Sequence, residues 1–299
     1  METSVSSFGP VTLGTVQLGQ AYGVANPGGM PGKDVAMKVL DAAWNGGVRS
    51  FDTARIYGQA EDRIGSWLAA RGHRPHLITK VTKLGDDAAS TNMVRYCLST
   101  SMAALNVDFI DGLMMHSAQD IFRPGVLDSL EKLKTDGVIG GFGISAYAPE
   151  DVDKALTVPS LSLVQVPFNL FDRRMETSGV LDRCIATGVT VFARSLFLQG
   201  LFFLNPETLP DYLSAAAEPL RQLRAYADDL GRSVAEVALV AVRDTPGVAS
   251  LVVGAECADQ VKDTLAISKA APLSSAERKA VFHIGDGLPE RIYHPGLWG

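Results

Sequence analysis

Short apolar segments alternate along this chain with longer segments in which apolar residues return every three or four positions. The longer segments have the period of amphipathic helices, as in residues 34–46, 60–70, 92–105 and 125–136. The short segments are typical of buried parallel strands, and they occupy residues 11–15, 48–53, 76–81, 109–116, 139–145, 161–167, 189–195 and 248–254. This alternation predicts an α/β protein whose eight parallel strands close into a (β/α)8 (TIM) barrel.

A doubly wound sheet is the competing architecture for the same alternation. It is disfavoured because the first strand leads into GTVQLGQAYG, which lacks the GxGxxG spacing of dinucleotide-binding turns and does not open a helix directly. The length of 299 residues suits one large barrel, and no internal repeat or low-complexity linker divides the sequence. We therefore predict a single domain over residues 1–299, with an active site at the carboxyl ends of the strands.

Two local predictions concern one helix and the loops. The first amphipathic helix is expected to bury Val35, Val39, Leu40 and Trp44 on one face. The tail is rich in Pro, Gly and aromatic residues, so it is either a lid or a packed terminus. The longest loops are expected at 203–212 and 284–299.

Composition and charge limit the classes of function. Hydrophobic residues make up 46% of the chain and charged residues 20%, so a sizeable core is expected and disorder is not. The net charge of -6, without a basic run, argues against nucleic acid or an anionic membrane as a partner. No segment has the apolar length of a membrane span, and the residues before Val11 do not resemble a signal peptide. A cytoplasmic protein with a small-molecule substrate is expected; oligomeric state is not predicted.

The cysteines and histidines give no sign of a metal site. Cys97, Cys184 and Cys257 are far apart and lack CxxC spacing, which is typical of reduced cytosolic thiols. A structural zinc site needs four clustered ligands, and neither the three cysteines nor the five histidines form such a cluster in the sequence. We therefore predict that the protein holds no metal.

Polar residues stand at the ends of several predicted strands, where the active site of such a barrel lies. Asp52 ends the second strand, and Tyr57 follows five residues later. Lys80 ends the third strand and His116 the fourth. Each has a structural explanation, since Asp52 can cap a helix, Lys80 can extend its stem over apolar surface and His116 can pack in the core. Their concentration at three consecutive strand ends favours a shared function instead.

Together these four side chains suit one kind of reaction. A phenol with an unperturbed pKa near ~10 exchanges its proton poorly at neutral pH, but a nearby ammonium lowers that pKa. A carboxylate keeps the ammonium charged, and an imidazole can hydrogen-bond the same substrate oxygen. The set therefore suits proton transfer to a carbonyl oxygen. It offers no obvious nucleophile for covalent catalysis and no second inward carboxylate for glycoside hydrolysis.

In order and position, these residues resemble the catalytic tetrad of the aldo-keto reductases. The resemblance covers nearly the whole chain, through LGTVQLGQAYG, FDTARIYG, ITK, MMH, GISAY, QVPFNLFDRR, ARSLFLQG and VVGAECADQVKD. It implies a barrel that binds a nicotinamide dinucleotide across its carboxyl-terminal face. It also implies that Tyr57 is the general acid in reduction, that Lys80 lowers its pKa, and that Asp52 pairs with Lys80. His116 would orient the carbonyl group.

The resemblance extends to residues that would hold the cofactor. Ser145 and Gln165 would bind the nicotinamide carboxamide, although Ala146 stands where family members often have asparagine. Arg194 stands where many members have an aromatic residue that stacks on the nicotinamide, and its planar guanidinium can also stack. Toward the pyrophosphate, the resemblance assigns Ser195, Leu196 and Gln199.

At the adenine end, this sequence departs from many members that use NADPH. Gly254 and Gln260 replace their lysine and arginine, and Glu256 and Asp263 belong to the same stretch of the cofactor site. A carboxylate repels a 2′-phosphate and can accept bonds from ribose hydroxyls, as in NAD-selective sites. However, a helix start favours an anion, and other members with glycine and glutamine here resemble NADPH users. NADPH is therefore expected, with NADH as the alternative.

The expected reaction is reduction of an aldehyde or ketone to an alcohol. The carbonyl is expected to be sugar-derived, because LGTVQLGQAYGVAN resembles bacterial members that act on such compounds. Tyr22, Arg55, Tyr147 and Phe168 are expected at the substrate; a surface salt bridge is the alternative for Arg55, and core packing for Tyr147 and Phe168. Two other functions stay open: NAD-dependent oxidation of a sugar alcohol or lactol, and a non-catalytic cofactor-binding sensor on the same barrel.

Overall fold

In the computed structural model of the chain, which describes residues 8–85 and 90–298, the strands form a closed parallel barrel. Each strand pairs in parallel with the next one in sequence, and the last pairs with the first, as in the register of Leu13 with Val253. The (β/α)8 prediction is confirmed, with strand ends shifted by at most two residues. The strands are β1 Val11–Gly14, β2 Ser50–Asp52, β3 His76–Val81, β4 Ile110–Met115, β5 Ile139–Ser145, β6 Leu163–Pro167, β7 Thr190–Arg194 and β8 Val248–Gly254.

Helices follow the strands and pack their apolar faces against the barrel. The α-helices are α1 Val16–Gly19, α2 Lys33–Asn45, α3 Ala60–Arg71, α4 Ser90–Leu105, α5 Val126–Thr135, α6 Pro149–Ala155, α7 Arg174–Thr177, α8 Val180–Thr187, α9 Ala217–Asp229, α10 Val234–Arg243, α11 Ala258–Ile267, α12 Ser275–His283 and α13 Glu290–Tyr293. Short 3₁₀ helices cover Ala118–Phe122, Leu198–Phe203, Pro206–Thr208, Asp211–Ala216 and Pro295–Leu297.

The buried face of α2 points in the predicted direction but is narrower than predicted. It buries Ala36, Val39, Leu40 and Ala43, whereas Val35 is exposed. Steps of about 100° per residue place Val35 roughly 90° from the centre of that face. The prediction for Val39 and Leu40 is confirmed, Trp44 is partly buried against the core, and the prediction for Val35 is wrong.

The barrel interior is a core of its own. Phe8, Ile78, Met114, Leu163 and Phe192 form a cluster separate from the large core between strands and helices. Beside it, hydroxyl groups bond across neighbouring strands, with 2.7 Å from Thr12 to Ser50 and 2.8 Å from Thr12 to Ser250. The interior is therefore filled by side chains rather than open.

The two-residue period of a strand extends these interior positions to the carboxyl-terminal end of the barrel. A residue two positions after an interior residue faces the same side, so its side chain reaches the barrel mouth. Such pairs are Ser50 and Asp52, Ile78 and Lys80, Met114 and His116, Leu163 and Gln165, and Phe192 and Arg194. This periodicity brings polar side chains from five strands to one face of the barrel.

Both regions predicted to be long loops contain short helical turns. The stretch 203–212 is divided among 3₁₀ turns, and the tail forms α13, which buries its own residue Ile292. Trp298 Nε1 donates to Arg291 O at 2.6 Å, which fixes the end of the tail. Within the described part of the chain, every helix is too short or too polar to span a bilayer. The same residues contain no group of three or more His, Cys, Asp and Glu side chains placed to hold a metal ion.

Candidate active site

Asp52 and Lys80 form a buried ion pair at the mouth of the barrel. Lys80 Nζ donates to the two carboxylate oxygens of Asp52 at 2.7 and 2.8 Å, and to Thr53 O at 3.1 Å. Gln165 Nε2 donates to Asp52 Oδ1 at 2.8 Å. Burial lowers the pKa of Lys80, but Asp52 and Tyr57 together raise that pKa by more. The ammonium therefore keeps its charge although it is fully enclosed.

Tyr57 lies on the loop after β2, beside this ion pair and His116. Lys80 Nζ is 5.0 Å from the centroid of the Tyr57 ring. The His116 ring meets the Tyr57 ring edge-on, with 6.1 Å between centroids. Burial raises the pKa of Tyr57, and Lys80 lowers it by less, so the net pKa is above the ordinary value. Lys80 thus acts in the predicted direction, but burial outweighs it and the phenol is protonated at neutral pH.

A close approach between two backbone segments fixes the loop that carries Tyr57. Gln59 N donates to Gly19 O at 3.1 Å, and Gly58 has a φ of +55°, which favours glycine. A Cβ built on Gly19 would lie 1.7 Å from Tyr57 O and 2.5 Å from Ala60 N. Glycine at position 19 is therefore a condition for this placement of Tyr57.

His116 follows β4 directly, and its backbone N donates to Val81 O at 3.0 Å. Burial, together with the charges of Lys80 and Arg194, lowers the pKa of His116 to about 4. The ring is therefore neutral at pH 7. Its Nδ1 is buried and has no hydrogen-bond partner among the described residues. His116 also lines the cavity over this centre, so its neutral ring can bond a ligand that enters beside Tyr57.

A cavity of about 710 Å³ opens over this centre and extends to α11. Its volume is in the range of small-molecule binding sites. Lys80 lies behind Asp52 and Tyr57 rather than in the cavity wall. Most of the other predicted site residues line the wall, namely Tyr22, Asp52, Tyr57, His116, Ser145, Tyr147, Gln165, Arg194, Ser195, Leu196, Gln199, Gly254, Glu256, Gln260 and Asp263.

Two residues expected at the substrate lie outside this cavity wall. Phe168 is fully buried, and its ring packs 6.0 Å from that of Phe282 on α12. Arg55 NH1 lies 3.2 Å from Glu61 Oε2, and the almost fully buried Glu61 also accepts a bond from Thr79 at 2.7 Å. The structure therefore shows the structural alternative for each residue: Phe168 packs in the core, and Arg55 forms an ion pair.

Arg194 is held at the end of β7 by neutral groups. Its guanidinium lies over the Tyr147 ring, 4.2 Å from the centroid. It donates to Ala146 O and to Ser195 Oγ, both at 3.3 Å. Its charge contributes to the pKa values of Tyr22, Tyr57 and His116, so it faces the same space as these side chains.

The cavity near α11 is lined by acidic and amide side chains. Gln260 Oε1 accepts from Glu256 N at 2.7 Å, and Gln260 Nε2 lies 3.4 Å from Glu256 Oε2. Asp263, one turn further along α11, lines the same wall. A Cβ on Gly254 would lie 2.2 Å from Gln17 Oε1, so the Gln17 amide fills the space that a side chain at 254 would need.

Several cavity residues were missed by reasoning from the sequence. Gln17 lies on α1, and its Oε1 is buried without a hydrogen-bond partner among the described residues. Ile56 and Phe203 contribute apolar surface, and Pro295 and Gly296 come from the tail. In the sequence, only position could have indicated two of them: Gln17 belongs to the opening motif, and Ile56 directly precedes Tyr57.

The loops after β1 and β7 meet beside the cavity. Val24 N donates to Gln199 O at 2.9 Å. On the other side, the His294 ring of the tail packs 4.8 Å from the Tyr147 ring. The tail is therefore a packed terminus that also reaches the cavity wall.

Comparisons with known proteins agree with this geometry. The model of the aldo/keto reductase family matches residues 10–285. The uncharacterized oxidoreductase YqkF of Bacillus subtilis is 28% identical over 269 residues, which cover 83% of this chain and 87% of that protein. L-glyceraldehyde 3-phosphate reductase of Escherichia coli O157:H7 is 27% identical over 290 residues, covering 83% of each chain. The holo form of aldo-keto reductase AKR11C1 from Bacillus halodurans has the same fold, with a TM-score of 0.76, 24% identity and 94% of each chain covered.

Proposed function

Because the chain belongs to the aldo/keto reductase family, we propose that it reduces an aldehyde or ketone to an alcohol with NAD(P)H, and that Tyr57 donates the proton. One observation carries this proposal: the protonated Tyr57 stands beside the buried Lys80–Asp52 pair and the neutral His116, at the wall of a cavity. Those groups suit proton delivery to a carbonyl oxygen.

The cavity offers polar groups that fit a nicotinamide dinucleotide, which supplies the hydride when bound. Ser145 and Gln165 would hold the carboxamide, close to Tyr57. Ser195, Leu196 and Gln199 would face the pyrophosphate, and the residues next to α11 would face the adenosine. The unpartnered Oε1 of Gln17 supports this assignment, because a buried carbonyl oxygen without a partner needs a hydrogen-bond donor.

Tyr57 and His116 would both bond the carbonyl oxygen. As negative charge develops on that oxygen, the Tyr57 proton would move to it. The Lys80 ammonium, held by Asp52, would then stabilise the phenolate. The raised pKa of Tyr57 supports the role of an acid, since the proton is present before the reaction begins.

The substrate is proposed to be a sugar or sugar-derived carbonyl compound, within carbohydrate metabolism. Tyr22 and Tyr147 supply hydroxyl groups at the wall, while Ile56 and Phe203 supply apolar surface. The similarity to L-glyceraldehyde 3-phosphate reductase supports a short sugar-type aldehyde. The three cysteines are free thiols, which is in keeping with a cytoplasmic location.

NADPH is the proposed reductant. Gln260 and the N-terminal end of α11 stand at the end of the cavity that would face the adenosine, and a helix start favours a phosphate. Titration of the purified protein with NADPH and NADH, followed by nicotinamide fluorescence, tests the preference directly. Tighter binding of NADPH is expected; equal or tighter binding of NADH would contradict this part of the proposal.

Replacement of Tyr57 by Phe tests the reaction itself. Turnover of a short aldose such as glyceraldehyde should fall at least about a hundredfold, because the general acid is lost. The affinity for the reduced cofactor should change little, because the ring is kept. Turnover close to that of the unmodified protein would show that another group donates the proton.

A second candidate is NAD-dependent oxidation of a sugar alcohol or lactol by the same residues. The carboxylates of Glu256 and Asp263 favour it, because they line the adenosine end and no Lys or Arg of the described residues lines the cavity there. Ribose hydroxyls suit such acceptors better than a phosphate does. Tighter binding of NADH, together with faster alcohol oxidation than carbonyl reduction, would favour this candidate.

A further inference from the structure

Two positively charged side chains, Lys80 and Arg194, lie near Tyr57, and they differ in whether a carboxylate balances their charge. The charge of Lys80 is balanced by Asp52, whose carboxylate oxygens lie 2.7 and 2.8 Å from Nζ. Among the described residues, Arg194 has no carboxylate oxygen within 4.0 Å of its guanidinium. Its three contacts are an aromatic ring, a backbone carbonyl and a hydroxyl, all of them neutral.

The remaining charges of the cavity do not cancel this one. His116 is neutral at pH 7, and Tyr22 has a pKa of about 12, so neither contributes a charge there. Of the acidic side chains of the wall, Asp52 is paired with Lys80, and Glu256 and Asp263 belong to the region of α11. The space around Tyr57 is therefore under a net positive charge that originates from Arg194.

The proposed function places a nicotinamide ring in this space. Hydride and proton go to the two atoms of one carbonyl group, and reacting atoms must approach to about 3–3.5 Å. The nicotinamide must therefore lie within a few ångströms of Tyr57. Its oxidised form carries a positive charge on the ring, and its reduced form is neutral.

We propose that Arg194 makes the protein select the reduced over the oxidised nicotinamide cofactor. The guanidinium repels the cationic oxidised ring and leaves the neutral reduced ring unaffected, while its plane offers either ring the same stacking surface. At a separation of about 6 Å and an effective dielectric constant near 20, such a repulsion corresponds to a preference of tenfold or more. This inference rests on the proposed function.

The consequence for catalysis is a bias in loading and release. In a mixture of both cofactor forms, the protein would fill with the reduced form, and the oxidised product would leave readily. A thermodynamic cycle links these two affinities to the reactivity of the bound cofactor. Because the reduced form binds more tightly than the oxidised form, the bound reduced cofactor is a weaker hydride donor than the free one, by the same factor. The bias therefore favours carbonyl reduction through occupancy, without changing the overall equilibrium.

Two variants separate the charge of Arg194 from its stacking. Arg194→Lys and Arg194→Met both lose the planar group over Tyr147, but only the lysine keeps the charge. Dissociation constants for NADPH, NADP⁺, NADH and NAD⁺ would be measured by calorimetry on the unmodified 299-residue chain and both variants, with thermal unfolding as a check on folding. The readout is the ratio of the oxidised to the reduced constant for each cofactor that binds.

In the unmodified protein, the reduced form should bind at least about tenfold more tightly. Arg194→Met should reduce this ratio about tenfold, mainly through tighter binding of the oxidised form, and Arg194→Lys should keep most of it. An unchanged ratio in the methionine variant would overturn the inference, and so would an equal loss in both variants. Tight binding of both forms with a ratio near one would refute this inference alone, whereas binding of neither form would refute the proposed function as well.

Discussion

At the Tyr57 end of the cavity, polar side chains project from strand ends and hold one another in place; near α11, they project from a loop and a helix. Asp52 and Lys80 are almost fully buried and joined at 2.7 and 2.8 Å. Glu256 is only half-buried and Gln260 is exposed, and their amide–carboxylate contact is 3.4 Å. The first group is fixed by the barrel, and the second can be exchanged without disturbing the strands.

Under the proposed function, this difference separates two tasks of the site. Buried groups with complete hydrogen bonding supply a preorganised electrostatic environment, which acts on the rate of the chemical step. Exposed side chains around a dinucleotide act mainly on its affinity. Substitutions at the Tyr57 end should therefore change kcat, while substitutions near α11 should change the dissociation constant of the cofactor.

Lys80→Met is expected to have the largest effect. It leaves Asp52 buried without its cation, which should lower the free energy of unfolding by roughly 3 to 5 kcal/mol. It also removes the charge that would stabilise the Tyr57 phenolate, so kcat should fall about a thousandfold. Denaturant unfolding and steady-state kinetics measure the two effects, and affinity for the reduced cofactor should be nearly unchanged because Lys80 does not line the cavity.

The matched control for this prediction is Lys83→Met. Lys83 lies three residues further along the chain, beyond the end of β3, and is exposed. This change should leave both stability and kcat nearly as they are. A Lys80→Met protein with substantial turnover would show that the ion pair is structural only.

Gly19→Ala should have the next largest effect, although Gly19 does not line the cavity. Its new Cβ would lie 1.7 Å from Tyr57 O, so the loop that carries Tyr57 must shift. A displacement of about 1 Å can cost roughly a hundredfold in rate, so kcat should fall by a factor of about ten to a hundred. Gly32→Ala is the control, because no atom lies within 4 Å of its built Cβ. Equal kcat values in the two variants would contradict the role of this backbone contact.

The sequence allowed the Tyr57 end to be predicted because the two-residue strand period determines direction. Asp52, Lys80 and His116 each lie two residues after an interior position, so their side chains must reach the barrel mouth. The same period explains the error at Phe168. It is three residues after the inward-facing Gln165, so it faces the helices instead.

Other features depend on distances that the sequence does not contain. The ion pair of Arg55 with Glu61 forms because the loop after β2 turns directly into α3, whose Glu61 also reaches Thr79 of β3. The position of Gln17 over Gly254 depends on the path of the segment after β1. The direction of the net pKa shift of Tyr57 also cannot be predicted without a structure, because burial raises this pKa and the charge of Lys80 lowers it.

His116 predicts a pH dependence of moderate size. Its pKa is about 4 in the folded protein and about 6.5 in the unfolded chain. Between these values the unfolded chain binds a proton that the folded protein does not, so the free energy of unfolding falls as pH decreases from about 6.5 to about 4. The folded protein keeps this part of its stability in full above pH ~6.5. The part lost on acidification should be about 2 kcal/mol, allowing for the partial exposure of the ring.

Denaturant unfolding of the unmodified protein and of His116→Gln, from pH 4 to 8, isolates this effect from other titrating groups. The difference in stability between the two proteins should shrink or reverse toward pH 4 and stay constant above pH 7. A constant difference over the whole range would mean that His116 is not held neutral by the Tyr57 end.

Glu256→Gln should have the smallest effect, and it tests the other half of the comparison. Glu256 is half-exposed, so water weakens its repulsion of a nearby 2′-phosphate. Removing this carboxylate should strengthen NADPH binding by about threefold at low salt, and by less at high salt. NADH binding should weaken or stay unchanged, because the lost acceptor can only serve ribose hydroxyls. Glu150→Gln, an equal change of charge outside the cavity wall, should alter neither constant. If Glu256→Gln changed kcat more than the dissociation constants, the α11 end would participate in the chemical step, and the division of tasks between the two ends would be wrong.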